Sequence, residues 1–300
     1  MKRIHVSLLL ALFASVLALA SCEAQGAQQK QVVLASKPMT EQLILAEMIT
    51  LLIETNSDIS VEHLPGIGGG TANIHPAMVE GEIDIYPEYT GTGWMQVLKE
   101  DYIADPEELY QSVKESYDRT YSITWLDLYG FNNTFGLAIR RELAEDLNIS
   151  TYSDLLEHDD DLTFGANYDF YEREDGYPGL QETYGIDFDE LVELEIGLKY
   201  QAIDEKEIDV TNIFTTDGRL EDYDLVVLED DRAFFPSYYA TTLIRNETLE
   251  EHPELFDILN VLGGQISDDE MIHLNHLVET DRLDPKEVAE DFLTEKGLLD

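Results

Sequence analysis

From Gly81 to Trp94 the chain reads Gly-Glu-Ile-Asp-Ile-Tyr-Pro-Glu-Tyr-Thr-Gly-Thr-Gly-Trp. A short strand here runs into a glycine-flanked turn that carries aromatic rings and hydroxyls together. Glycine lets the backbone come close to a ligand. Ring faces attract a cation that has no hydrogen-bond donor, such as a quaternary ammonium. The chemistry these residues suit is recognition rather than bond breaking. Enzyme signatures are sparse. The seven histidines are scattered, with no His-Glu-x-x-His spacing. Glu157-His158-Asp159-Asp160-Asp161 reads as a solvated acidic loop rather than a metal site. Asp217, Asp230 and Asp231 leave one alternative from another class, a secreted hydrolase using paired carboxylates. Gly66-Ile67-Gly68-Gly69-Gly70 imitates a dinucleotide fingerprint, but Thr71 stands where its last glycine belongs. It is read as a strand-to-helix turn whose N–H groups help line a cleft. No cofactor is implied.

The elements that must position these groups alternate between short apolar runs and amphipathic helices, the pattern of an α/β chain. Strands are expected at 31–36, 59–64, 83–86, 135–139, 163–166 and 225–228. Thr40 is expected to cap a helix over 41–54, where Ile44, Leu45, Met48, Ile49 and Leu52 recur at helical spacing. Further helices are expected at 72–80, 106–116 and 140–147, and consecutive helices over 253–299.

The N-terminus speaks about compartment. Met1-Lys2-Arg3 is basic, and 6–20 is apolar apart from two serines. That run is too short and too near the terminus for a spanning helix. Leu19-Ala20-Ser21-Cys22 then reads as a lipobox. Residues 1–21 are expected to be a removed signal peptide, Cys22 the lipid-bearing new terminus, and 22–30 a flexible tether. Cys22 is the only cysteine, so no disulfide, zinc-thiolate or thiol chemistry is available within the chain. The composition has 63 acidic and 18 basic residues, a net charge of −45. Such a surface repels nucleic acid phosphates. It also repels itself unless salt screens it, which points to a very salty medium outside the cytoplasm.

Five motifs in order carry a resemblance. They are Ser36-Lys37-Pro38-Met39-Thr40-Glu41-Gln42, Glu88-Tyr89-Thr90-Gly91-Thr92, Gly130-Phe131-Asn132-Asn133-Thr134-Phe135, Thr215-Thr216-Asp217-Gly218-Arg219, and Leu228-Glu229-Asp230-Asp231-Arg232 followed by Phe235-Pro236-Ser237-Tyr238-Tyr239. The chain from 31 to 299 resembles the substrate-binding proteins of osmoprotectant ABC transporters, which serve glycine betaine, choline and carnitine. The resemblance implies a two-lobed periplasmic-binding-protein fold, type II-like, with a ligand cleft between lobes. Lobe one would be 31–134 plus 237–300, and lobe two 135–236. Two crossovers, near Asn133–Phe135 and Phe235–Tyr238, would form the hinge. Asp217, Asp230 and Asp231 would then cap turns or brace that hinge.

It further implies a monomeric, membrane-tethered partner of an ABC permease that carries glycine betaine. Ergothioneine, carnitine, proline betaine and choline are alternatives. A trimethylammonium needs surrounding ring faces, and a carboxylate needs cations and hydroxyls. Matched motif by motif, the cation cage would be Tyr89, Phe135, Phe214 and Tyr238. The carboxylate would meet Lys37, Thr92 and Arg173, with Asn133 at the cage edge. Tyr238 is preferred to Tyr239, since neighbours on an extended chain point oppositely. Many relatives have tyrosine where Phe135 and Phe214 fall. Phenylalanine keeps the π face and loses the hydroxyl, which leaves the preferred solute open.

Overall fold

A computed structural model describes residues 30–299. The expected signal peptide, Cys22 and all of the tether before Lys30 lie outside the described residues.

Two five-stranded sheets form the frame. The first has the order β2-β1-β3-β10-β4, built from β1 (Gln31–Ala35), β2 (Ser60–Leu64), β3 (Ile85–Tyr89), β4 (Ile123–Trp125) and β10 (Ala240–Arg245). The second has the order β7-β6-β8-β5-β9, from β5 (Phe135–Arg140), β6 (Thr163–Ala166), β7 (Glu190–Glu193), β8 (Val210–Phe214) and β9 (Leu225–Val227). Both follow one plan. Three strands run parallel, and the strand that pairs antiparallel with them, β10 or β5, is flanked by one more antiparallel strand.

The chain passes between the sheets twice, from β4 to β5 and from β9 to β10. The two passages touch. Asn132 and Tyr239 form an antiparallel bridge, and the Asn133 N–H donates to the Tyr238 carbonyl at 3.1 Å.

Helix Thr40–Asn56 forms because its apolar residues recur every three to four positions, and it is buried along Ile44, Leu45, Met48, Ile49 and Leu52. It covers one face of the first sheet, and the C-terminal helices Asp268–Glu279 and Pro285–Glu295 pack against this helix. The other face meets Thr71–Val79 and Pro106–Tyr121, whose Ile74, Met78 and Tyr117 pack with Tyr86 and Trp125. Each such side chain, fully buried, stabilises by roughly 1.5–3 kcal/mol relative to exposure. Sharp helix starts follow from local chemistry. Asp105 caps Glu108 N–H at 2.8 Å with Pro106 at the first position, and Ser267 forms a capping box with Glu270.

Several boundaries differ from the sequence reading. Thr40 is the first helical residue, not the cap; Met39 holds that place and makes no side-chain cap bond. The strand expected at 83–86 lies at Ile85–Tyr89, because ladder pairing begins at Ile85, opposite Leu34 of β1 and Ile244 of β10. The helix expected at 106–116 continues to Tyr121, where Ser122 in the left-handed region ends it. The run after Tyr89 is not a plain loop. Thr92–Val97 winds as a wide helical turn, which aims Thr92 and Gln96 at the same side. Strands β4, β7, β8 and β10 and the short helices at 168–172, 177–184 and 199–204 were not expected.

Candidate functional site

A cavity of about 140 Å³ opens at the junction of the sheets. All eight ligand residues expected from the motifs line it: Lys37, Tyr89, Thr92, Asn133, Phe135, Arg173, Phe214 and Tyr238. Their backbone positions explain the convergence. Tyr89 ends β3, and Thr92 starts the wide turn beyond it. Phe135 opens β5 and Phe214 closes β8, and the two are direct partners in the antiparallel ladder. Their rings lie 5.2 Å apart, and the Tyr238 ring meets Phe135 edge-on at 5.6 Å. Tyr238 is held on the second crossover by its N–H, which donates to Asn132 Oδ1 at 2.7 Å. Gly91 permits this approach, since a Cβ there would lie 2.7 Å from the Tyr238 ring. Tyr239 is half-buried and turns away from the cavity, as alternation requires. Gly69, Gly70 and Thr71 form part of the wall, so the glycine turn does reach the cleft.

The polar groups are tied to carboxylates that carried no signal in the sequence. Lys37 Nζ donates to Glu88 Oε1 at 2.5 Å, and the Thr71 hydroxyl donates to Glu88 Oε2 at 2.6 Å. Burial lowers the Lys37 pKa, and Glu88 opposes that only in part. Arg173 forms a fork with Asp175 at 2.7 and 2.5 Å, and its third nitrogen donates to Gln96 at 2.6 Å. Burial alone depresses the guanidinium, but Asp175, then Tyr238 and Asp169, hold it above its ordinary value. The Tyr238 hydroxyl donates to Asp175 Oδ2 at 2.5 Å, and the Tyr89 hydroxyl to Glu41 Oε1 at 2.5 Å. Burial pushes both phenols up, and the carboxylate beside each adds to it. The protein's own cations sit against three of the rings, Lys37 Nζ 4.7 Å from the Tyr89 centroid, Lys199 Nζ 4.9 Å from that of Phe214 and Arg173 Cζ 5.4 Å from that of Phe135.

Sequence reasoning missed Glu41, Glu88, Gln96 and Asp175, although Glu41 and Glu88 stand inside quoted motifs. A cleft between the lobes was expected, but not its acidic lining: the outer cleft of about 900 Å³ carries Glu100, Asp101, Asp169, Glu172, Glu193 and Glu195. The three aspartates of the hydrolase alternative are engaged in hydrogen bonds that hold the fold: Asp217 accepts from the Tyr200 hydroxyl and the Arg219 N–H, Asp230 from the Phe234 and Phe235 N–H groups, and Asp231 from the Ser153 N–H. Among the described residues no cluster of three metal-ligating side chains occurs, and no helix is long and apolar enough to cross a membrane.

Solved structures place the fold. A glycine betaine/carnitine/choline ABC transporter structure superposes with a TM-score of 0.74 at 35% identity, over 90% of this chain and 100% of that one. Lactococcal OpuAC, in a closed-liganded conformation with glycine betaine, gives a TM-score of 0.63 at 16% identity, over 89% of this chain and 96% of that one, a likeness of fold alone. Two α/β sheets joined by paired crossovers, with a cavity at the junction, make this a two-lobed periplasmic binding protein. The chain belongs to the family described as the substrate binding domain of the ABC-type glycine betaine transport system, which matches residues 30–295.

Among its relatives is the ergothioneine transport permease/ergothioneine binding protein EgtU of Helicobacter pylori (strain G27), 42% identical over 271 residues. That match covers 90% of this chain and 48% of the relative, so the chain spans about half its length. The carnitine transport binding protein OpuCC of Listeria monocytogenes serotype 1/2a (strain 10403S) is 35% identical over 294 residues, 96% of this chain and 95% of that one.

Proposed function

We propose that this chain captures a small zwitterion bearing a trimethylammonium and a carboxylate, outside the cytoplasm, and delivers it to an ABC permease without chemical change. One observation carries the reading. Four aromatic side chains and two buried cations, supplied by both sheets and a crossover, converge on a single cavity. The rings Tyr89, Phe135, Phe214 and Tyr238 take the ammonium. Lys37, Arg173 and the Thr92 hydroxyl take the carboxylate, and Asn133 closes the edge. Lobe one is 31–134 plus 237–300, lobe two is 135–236, and the paired crossovers act as the hinge about which the lobes close on the solute. Docking on the permease then favours the open form and releases it. The protein acts as a monomer, held to the membrane by lipid on Cys22 and adapted to high salt.

Glycine betaine is the smallest solute with both groups and the first choice. A larger betaine is the second reading. A neighbouring cavity of about 170 Å³ shares Pro38, Met39, Asn133, Ile196 and Phe214 with the first, leaving room beyond the cage. The 42% relative named for ergothioneine supports the same extension.

The test is calorimetric titration of the mature chain in high salt with glycine betaine, proline betaine, carnitine, ergothioneine and choline. One-to-one binding of a betaine, with choline weaker, is the expected result. No heat with any quaternary ammonium would sink the cage.

A further inference from the structure

Glu41 is buried, and among the described residues no lysine, arginine or histidine lies within ion-pair distance of it. The other buried carboxylates at the cavity have cations: Glu88 has Lys37, and Asp175 has Arg173. Glu41 has only uncharged donors. Tyr89 Oη at 2.5 Å and Asn133 Nδ2 at 2.8 Å reach Oε1, while Thr216 Oγ1 at 2.6 Å and Asn275 Nδ2 at 3.5 Å reach Oε2. The Tyr89 hydroxyl also accepts from Gln42 Nε2 at 3.0 Å, so its own proton is directed at Glu41. Amide N–H groups donate and never accept. Burial raises the Glu41 pKa, while these four hydrogen-bond donors and the first turn of helix Thr40–Asn56 favour the ionised carboxylate.

A buried anion without a counter-ion is costly unless something supplies one. The cation meant for this cavity is the ligand's. We infer that Glu41 is the protein's counter-charge to the bound ammonium, acting through Tyr89, and the residue that positions that ring. The inference rests on the proposed betaine reading. A phenol that gives its proton to a carboxylate has a more electron-rich face, and such a face attracts a cation more strongly. The carboxylate's own field adds to this in a site that excludes water. Thr216 belongs to the second sheet's side of the cleft and Tyr89 to the first. Glu41 is therefore held by groups from both sides of the cleft.

The experiment compares glycine betaine with its carbon analogue 3,3-dimethylbutanoate, which has the same shape and no positive charge. Both are titrated into wild type, Glu41→Gln and Glu41→Asp, with thermal unfolding run alongside. Wild type should prefer the betaine. Glu41→Gln should shrink that preference by about tenfold, and Glu41→Asp, which keeps the charge, should keep most of it. A structural role predicts the opposite ranking, because glutamine preserves shape and aspartate does not. That ranking, or equal losses for both ligands, overturns the inference while leaving the betaine reading intact. A wild type with no preference for the charged ligand overturns both. Should Glu41→Gln fail to fold, Tyr89→Phe cuts only the hydroxyl link and should shrink the preference several-fold; an unchanged preference overturns the inference.

Discussion

Lys37→Ala separates the polar end of the cavity from the aromatic end. The Lys37 ammonium lies 2.5 Å from Glu88, and neither side chain is exposed beyond 6%. Without the ammonium, Glu88 keeps the Thr71 hydroxyl at 2.6 Å and the Tyr89 N–H at 2.8 Å but faces no cation. Breaking a buried pair from one side costs roughly 3–5 kcal/mol. The two remaining hydrogen bonds to the carboxylate put the expected loss at the lower end, about 3 kcal/mol. Lys37→Met combined with Glu88→Gln removes both charges at similar volume and should recover more than half of that loss.

Affinity is a separate quantity. A hydrogen bond to a charged group contributes about 1.5–3 kcal/mol, so glycine betaine should bind Lys37→Ala roughly 10- to 150-fold more weakly. Choline has no carboxylate, and its affinity should change less than about threefold. Denaturant unfolding reads the first effect and calorimetry reads the second, under conditions where the variant is folded. Equal losses for the two ligands would refute a carboxylate role for Lys37. A stability loss below about 1 kcal/mol would refute the buried-pair arithmetic.

Other perturbations probe the frame. Gly91→Ala places a Cβ 2.7 Å from the Tyr238 ring and 2.9 Å from the Ser237 carbonyl, so the ring must move and its hydroxyl bond to Asp175 must break. Betaine affinity should fall about tenfold or more, and wild-type affinity in this variant would show that Tyr238 is no part of the cage. Gln96→Ala removes the acceptor that reaches Arg173 across the cleft at 2.6 Å. Small-angle scattering of the ligand-free variant should shift toward an open form, and an unchanged profile would exclude this contact as a latch. His75 is buried with both ring nitrogens lacking a partner among the described residues, edge-on to Tyr117 and Tyr121. Burial lowers its pKa below 6.5. The unfolded chain therefore takes up the proton first, and the stability this neutral ring contributes, complete above that value, drains away as pH falls below it. His75→Phe should stabilise by about 1 kcal/mol and flatten the fall between roughly pH 7 and 5; an unaltered slope would reject it. His63, shifted the same way by burial, should leave a residue of the slope. Finally, a net charge of −45 predicts a melting temperature that rises as salt goes from about 0.1 M to about 1 M. A flat or falling curve would count against salt adaptation.

The parts of the fold that a one-dimensional reading recovers are those whose burial is written in apolar periodicity. Helix Thr40–Asn56 and the strand Gln31–Ala35 are of that kind. Strands β8 and β10 are not, because buried polar residues interrupt their apolar pattern. Thr211, Asn212, Thr241 and Thr242 are fully buried. Three of them are satisfied at long range: Thr211 donates to the Gly165 carbonyl, Thr241 to the Leu126 carbonyl, and Thr242 pairs with the Tyr129 hydroxyl. A threonine looks like a surface residue until the partner that satisfies it is known. Strand β7 fails for another reason: it is an edge strand exposed along most of its length, so it carries little apolar pattern.

The same logic divides the site. Lysines and arginines are few, so Lys37 and Arg173 stand out against 63 acidic residues. Glu41, Glu88 and Asp175 do not, since nothing in the sequence separates a buried carboxylate from its many solvated neighbours. Yet these three decide the electrostatics of the cavity. Two of them neutralise the cations that the sequence made conspicuous, and the third faces none. Lys37 balances Glu88 and Arg173 balances Asp175, while Glu41, whose pKa burial raises, lies unpaired behind the Tyr89 ring. Phenylalanine at positions 135 and 214 is consistent with that arrangement. In the proposed cage the attraction comes from Tyr89 with Glu41 and from Tyr238 with Asp175, and Phe135 and Phe214 add π faces without a hydroxyl that would require a hydrogen-bond partner in a crowded aromatic wall.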